Sequence, residues 1–343
     1  LHPGGDALMR PFGATILDAM GHQLSVEEKA FFRDVRPFGF ILFARNIVSP
    51  DQVRALCDEM REAAGHEAVI TIDQEGGRVQ RMRAPQWRDW IPPMELAARA
   101  GEQATKAFYL MYRIIAHELH SVGIDSNCAP LIDVAGPKTH PFLRNRCYGE
   151  TPGQVAEIGR AVADALLAGG VLPVMKHMPG HGRATLDSHH NLPRVDARRI
   201  DLEAVDFAPF RSLRDLPMGM TAHLVYDALD DTPATLSSEV MRIIRDDIGF
   251  NNLVMTDDIS MKALQMTPAG STRAAIAAGC DVALFCNGPL EERRAVAEAA
   301  GEMTTAAQTR ALRALDARQT PDDVDIDALN AQLETLLGGA LHG

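Results

Sequence analysis

The run Ala68-Val-Ile-Thr-Ile-Asp73-Gln-Glu-Gly-Gly-Arg78-Val-Gln-Arg81 carries the pattern from which the fold can be read. Its first part is short, β-branched and without polar alternation, as a strand buried on both faces requires. It stops at a carboxylate, then a glycine pair, then arginines. Similar apolar runs occur at Ala14–Leu17, Gly39–Phe43, Ser126–Leu131, Leu172–Lys176, Met218–Ala222, Leu253–Thr256 and Val282–Phe285, which with Ala68–Ile72 makes eight candidate strands. Amphipathic stretches lie between them, among them Pro50–Ala64, Pro93–Val122, Thr151–Ala168, Ser237–Ile248 and Lys262–Ala278. Strand–helix alternation of this kind gives an α/β protein with a parallel sheet, and eight units favour closure into a single (β/α)8 TIM-type barrel. An open doubly wound sheet is the weaker reading, because the Gly-x-Gly-x-x-Gly turn expected after its first strand is missing.

No Pro/Ser-rich linker or compositional break divides the 343 residues, so one catalytic domain over 1–343 is expected. The helical tail from about Ala311 to Leu341, interrupted near Pro321, is expected to pack on its outside. A net charge of −12 argues against general affinity for nucleic acid or anionic membranes. The five cysteines show no Cys-x-x-Cys pairing and read as buried free thiols, which suggests a reducing compartment. No apolar run reaches the roughly 18 residues of a membrane span, and the first residues have no apolar signal core. A cytoplasmic monomer acting on a small-molecule substrate is the expectation.

In a barrel, polar residues at strand C-termini gather at one mouth. Asp73, Asp133, Lys176, His177, His223, Asp257 and Asp258 all fall at such positions. An acidic pair directly after an apolar strand is poor core material. Asp257 therefore reads as functional and Asp258 as a helix cap or an inward hydrogen-bonding group. Gly76-Gly77 is too sparse for a phosphate loop and reads as a close backbone approach, with Arg78 and Arg81 pointing different ways. Arg146, in a Pro/Gly-flanked segment after the fourth strand, suits ligand oxygens, whereas Arg144 is as well explained by the surface.

The segment Lys176-His-Met-Pro-Gly-His-Gly-Arg-Ala-Thr-Leu-Asp187-Ser-His189-His gathers a lysine, several imidazoles and a carboxylate. Asp187 two residues before His189 can orient the ring and raise its proton affinity, which is the logic of a positioned acid/base. Its Gly180 and Gly182 read as hinges of a loop that closes over a ligand. His117-Glu-Leu-His120 lacks the His-Glu-x-x-His spacing of a zinc helix and reads as a solvated face.

These residues, in this order, resemble glycoside hydrolase family 3, and within it the short bacterial β-N-acetylglucosaminidases of cell-wall recycling. The resemblance spans about Gly13 to Gly288. It is carried by Gly39-Phe-Ile-Leu-Phe-Ala-Arg-Asn46, Ile72-Asp-Gln-Glu-Gly-Gly-Arg-Val-Gln-Arg81, Asn127-Cys-Ala-Pro-Leu-Ile-Asp-Val134, Lys176-His-Met-Pro-Gly-His-Gly182, Asp187-Ser-His189, Met220-Thr-Ala-His223, Thr256-Asp-Asp-Ile-Ser-Met261 and Ala278-Gly-Cys-Asp281. The resemblance implies a retaining exo-acting enzyme that removes terminal N-acetylglucosamine from GlcNAc-anhydroMurNAc peptides. It implies Asp257 as nucleophile and His189, paired with Asp187, as acid then base. Asp73, Arg81, Arg146, Lys176 and His177 would hold the sugar, with no metal and no cofactor. Met178 in place of an aromatic, and Cys147-Tyr148 in place of Ser-Phe, depart from the family pattern and bear on subsite shape. The residues alone leave other readings open: a metal-dependent barrel hydrolase using His177, His181, Asp187, His189 or His190, a non-catalytic sugar-binding barrel, or a family member transferring to phosphate.

Overall fold

A computed structural model describes residues 10–186, 192–261 and 264–339. All eight expected strands are present: β1 (Gly13–Asp18), β2 (Pro37–Leu42), β3 (Val69–Ile72), β4 (Ser126–Asn127), β5 (Leu172–Met178), β6 (Met218–Thr221), β7 (Leu253–Met255) and β8 (Ala283–Phe285). Every residue in them is buried, which is why the runs lack polar alternation. They form two four-stranded parallel sheets, ordered β8-β1-β2-β3 and β7-β6-β5-β4.

Two seams join the sheets. Asp125 N donates to Ile70 O at 3.1 Å and Cys128 N to Ile72 O at 2.9 Å, beside β3 and β4. Between β7 and β8, Met255 pairs with Val282 in parallel and Thr256 N donates to Val282 O at 3.0 Å. One apolar cluster takes side chains from all eight strands or the residues beside them: Ile16, Ile41, Val69, Cys128, Val174, Met220, Met255 and Leu284 among them. β4 is shorter than the expected Ser126–Leu131 because Pro130 cannot donate to a ladder. Pairing resumes at Leu131, which bridges to Lys176.

The helices follow their stripes. Pro50–Ala64 matches expectation at both ends: Ser49 accepts from Gln52 N, proline opens the first turn, and Gly65 closes it at φ 69°. Val53, Leu56, Cys57, Met60, Ala63 and Ala64 make its buried face. The expected helix over 93–122 is instead two, Pro93–Ala100 and Ala104–Ser121, separated by a 3-10 turn at Gly101–Gln103. Gly101 takes φ 53° and ψ −124°, which no α-helix continues through. The tail helices Thr305–Asp316 and Ile326–Leu336 pack against the body as expected. Asp322 N donates to Ala168 O at 2.9 Å, and the buried Arg113 holds the Asp322 carboxylate at 2.8 Å through Nε. No described helix is long and apolar enough to cross a membrane. All five cysteines are buried and free.

Candidate active site

The site is built where β3 and β5 end. Past β3 the chain makes a small hairpin, Gln74–Gly76 against Val79–Gln80, shaped by buried amides. Gln74 and Asn127 exchange backbone–side-chain bonds at 3.0 Å each, and Gln74 Oε1 accepts from Arg81 N at 2.9 Å and Met82 N at 3.1 Å. The turn needs Gly76 at φ 108°, where a Cβ would also lie 2.7 Å from Ile91 O. This folding-back returns Arg81 to Asp73, Nη2 to Oδ2 at 3.0 Å. Arg78 points elsewhere, onto the Phe142 ring and carbonyl, as the sequence suggested.

Asp73 and Glu75, two apart on extended backbone, form the acidic half of a buried charge network. Lys176 Nζ donates to Asp73 Oδ1 at 3.0 Å and is ion-paired with Glu75 Oε1 at 2.5 Å. Arg146 grips Glu75 with both Nε and Nη2, each at 2.9 Å. Burial pushes the Asp73 carboxyl up, but Lys176 and Arg81 outweigh it and hold the group well below the ordinary carboxylate range. Glu75, likewise penalised by burial, is brought down to about 2 by Arg146 and Lys176. Burial disfavours the charge on Lys176, yet Asp73 and Glu75 raise its proton affinity above normal. All of these groups are therefore charged at neutral pH. The network places four of the five expected sugar-binding residues together: Asp73, Arg81, Arg146 and Lys176. Glu75, which joins Arg146 to Lys176, was not singled out in the sequence. Its position two residues from Asp73, hence on the same side of extended backbone, is the signal that could have found it.

His177, the fifth, has Nδ1 on Asp133 Oδ2 at 2.7 Å, and Asp133 Oδ1 also accepts from the backbone N of His177 at 3.2 Å and of His181 at 2.6 Å. With the carboxylate taking the Nδ1 proton, Nε2 is the ring atom left for the cavity. His181 also lines the cavity, its ring 5.6 Å from that of His177. Burial and the neighbouring His177 lower it to about 4, and its Nδ1 has no partner among the described residues.

A base with a depressed pKa contributes stability that is complete above the ordinary imidazole value of about 6.5 and is lost as pH falls toward its folded value. Asp206 acts with the opposite sign: burial raises it to about 6 despite Arg183, so its penalty is relieved as pH falls through that value. Comparing variants separates the two. The two oppose each other between pH 6.5 and 4, so His181→Gln should lose less Tm than the parent as pH falls through that window, exposing the Asp206 rise; parallel profiles would contradict this reading of His181.

At the end of β7 both members of the acidic pair line the cavity. Asp258 makes the inward hydrogen bonds expected of it, accepting from Ser260 N at 2.9 Å, Ser260 Oγ at 2.7 Å and Cys286 N at 3.4 Å. Asp257 lines the cavity, with Oδ1 accepting from Asp258 N at 2.8 Å. His223 is structural: it is fully buried between Thr235 Oγ1 and Asp258 O, and is not part of the cavity wall. Arg144 is a surface residue paired with Glu150.

Asp187 and His189, the expected acid/base pair, and His190 lie outside the described residues. The chain leading to them is described as far as Leu186, which lines the cavity. The two glycines expected as hinges in this stem are closely packed. A Cβ on Gly182 would lie 1.9 Å from Val134 O, and one on Gly180 2.8 Å from the Asp206 Cβ, so these glycines permit close packing. Thr139 binds Gly182 O, His140 N donates to Ala184 O at 2.9 Å, and Arg183 Nε holds Asp206 at 2.7 Å.

The cavity enclosed by these groups is about 460 Å³. Its polar floor of Asp73, Lys176, Arg146 and His177 faces apolar and aromatic walls including Phe43, Phe142, Leu186 and Met261. Met178, Cys147 and Tyr148, the departures from the family pattern, are fully buried and do not line it. Among the described residues no group of three or more His, Cys, Asp or Glu is arranged to hold a metal ion. His117 and His120 are exposed as expected, while Glu118 between them turns in to Arg88 at 2.7 Å.

Donors and carboxylates thus converge on one cavity at the C-terminal ends of parallel strands, the place where barrel enzymes of this class carry their sites. The chain belongs to glycosyl hydrolase family 3: the model of that family's N terminal domain matches residues 16–315. The protein is accordingly a glycoside hydrolase, acting on carbohydrate. It is 37% identical over 286 residues to a beta-hexosaminidase of Alkalilimnicola ehrlichii, covering 81% of each chain. It is 36% identical over 331 residues to one of Methylococcus capsulatus, covering 93% of this chain and 95% of the relative. Its fold matches the crystal structure of NagZ from Neisseria gonorrhoeae in complex with N-trifluoroacetyl-D-glucosamine with a TM-score of 0.81 and 28% identity, over 96% of this chain and 97% of that one.

Proposed function

We propose that the protein is a retaining exo-β-N-acetylglucosaminidase that releases terminal N-acetylglucosamine from peptidoglycan-derived GlcNAc-anhydroMurNAc peptides in the cytoplasm. The observation that carries this reading is the presence of Asp257 in the wall of the cavity whose floor is the Asp73–Lys176–Arg146 network. A carboxylate beside a donor-rich sugar cradle is what a glycosyl-enzyme mechanism needs. The seams at β3/β4 and β7/β8, and the apolar cluster drawing on all eight strands, support one closed (β/α)8 catalytic domain.

In this mechanism Asp73, Arg81, Arg146, Lys176 and His177 bind the hydroxyls and acetamido group. Asp257 attacks the anomeric carbon as the His189 imidazolium protonates the departing oxygen, forming a glycosyl ester. Neutral His189 then takes a proton from water, which attacks the ester and regenerates Asp257 with net retention. A histidine starts nearer pH 7 than a carboxylic acid, and Asp187 favours its charged form. The likeness to the beta-hexosaminidases and to NagZ supports the N-acetylglucosamine specificity.

The test is hydrolysis of p-nitrophenyl N-acetyl-β-glucosaminide beside the corresponding glucoside, with and without chelator and with and without phosphate. Fast release from the glucosaminide alone, insensitive to chelator and giving the free sugar in phosphate, is expected. Loss with chelator would move the assignment to a metal-dependent hydrolase, and a sugar 1-phosphate product to a phosphorylase.

A further inference from the structure

We propose that Glu75 is a positioning residue that sets what the cavity floor will accept. It locks Arg146 and Lys176 into one donor array, and its charge keeps that array from taking an anion in place of a neutral sugar. The inference rests on the sugar-binding reading above and extends it to the residue beneath the floor.

Glu75 is 1% exposed and does not itself line the cavity. It nevertheless takes two charge-assisted hydrogen bonds from Arg146 at 2.9 Å and is ion-paired with Lys176 at 2.5 Å. Burying a carboxylate this completely is costly and is offset here by the two cations it pairs with. Its consequence is on the two cations. Arg146 has Nε and Nη2 committed to Glu75, so only its remaining edge can reach a ligand. Lys176 donates to Asp73 and is ion-paired with Glu75, so its ammonium is held between the two carboxylates. The donors left over are few and fixed in direction, which suits discrete hydroxyl and carbonyl acceptors.

Charge counting gives the second half. Arg81, Arg146 and Lys176 stand against Asp73 and Glu75, so this network carries one net positive charge, beside the Asp257 carboxylate in the cavity wall. Without the Glu75 charge it would carry two, on cations whose donors suit an anion's oxygens. Neutral sugars gain nothing from that surplus, whereas sulfate or an anionic sugar does.

The experiment uses the full chain as Glu75→Gln and Glu75→Asp, with inorganic sulfate as probe. Three quantities are read: kcat/KM on the p-nitrophenyl glucosaminide, the competitive inhibition constant of sulfate, and the sulfate-induced rise in Tm. Glu75→Gln should lose at least tenfold in kcat/KM and bind sulfate at least tenfold more tightly than the parent, by inhibition and by Tm. Glu75→Asp keeps the charge but is a methylene too short to hold both cations; it should lose a similar factor in kcat/KM with sulfate binding as weak as in the parent. Wild-type kcat/KM in either variant overturns the proposal, as does a Glu75→Gln protein that loses activity with no gain in sulfate affinity. If Glu75→Gln does not fold, Glu75→Asp decides: reduced kcat/KM with unchanged sulfate binding supports the proposal, and tighter sulfate overturns it. A parent enzyme inactive on the glucosaminide would instead refute the functional reading, while the Tm arm would still report on the Glu75 charge.

Discussion

Asp257→Ala is expected to lower kcat by roughly ten-thousand-fold or more, the scale on which loss of a covalent nucleophile is felt. The methyl group cannot form the glycosyl ester, and water held in its place lacks a charge to stabilise the oxocarbenium-like transition state. The fold should survive. Asp257 is only partly buried, and its hydrogen bond from Asp258 N is local, whereas Asp258 carries the inward bonds to Ser260 and Cys286. Sodium azide, small enough for the vacated space, should restore part of the turnover and yield the α-glycosyl azide, because it attacks from the side the carboxylate used. Steady-state rates with product stereochemistry by NMR check this. Wild-type turnover in the alanine variant would remove Asp257 from the mechanism.

His189→Ala is expected to cost less on average and to discriminate among substrates. General acid catalysis is worth about a hundred- to ten-thousand-fold, and its share grows as the leaving group becomes more basic. The variant should therefore lose close to the upper figure on a disaccharide or alkyl glycoside. It should lose far less in the first step on p-nitrophenyl or dinitrophenyl glycosides, whose phenolates depart without a proton. Deglycosylation also needs the base, so a pre-steady-state burst of phenol should appear with the activated substrates. A uniform loss across leaving groups, with no burst, would mean that another group donates the proton.

Much of the fold is legible in the sequence, for a physical reason. Strands buried on both faces cannot alternate, so Ala14–Leu17 or Leu253–Thr256 stand out as short apolar blocks between longer amphipathic ones. What a run of residues cannot report is its remote neighbour. The glycines at 180 and 182 give no sign in the sequence of Asp206 and the Val134 carbonyl packed against them. The stripe from Pro93 to Val122 is continuous in period, and only the backbone at Gly101 divides it. Among the site residues, Asp73, Lys176 and Asp257 are visible as polar groups at apolar strand ends. Glu75 is not, because its meaning lies in Arg146, 71 residues away in sequence. Likewise Asp258 and Asp257 are the same residue type in adjacent positions, separable in role only once Ser260 and Cys286 are seen to occupy one of them.

The most direct measurement of the proposed chemistry is the mass of the protein after brief exposure to N-acetyl-5-fluoro-β-glucosaminyl fluoride. The ring fluorine slows both steps by destabilising positive charge at the anomeric carbon, while the fluoride leaving group keeps the first step fast enough for the ester to accumulate. A single added sugar, located by peptide fragmentation on Asp257 and lost with return of activity, is the expected result. A label on any other side chain, or a fully active enzyme that never acquires one, would contradict catalysis through Asp257.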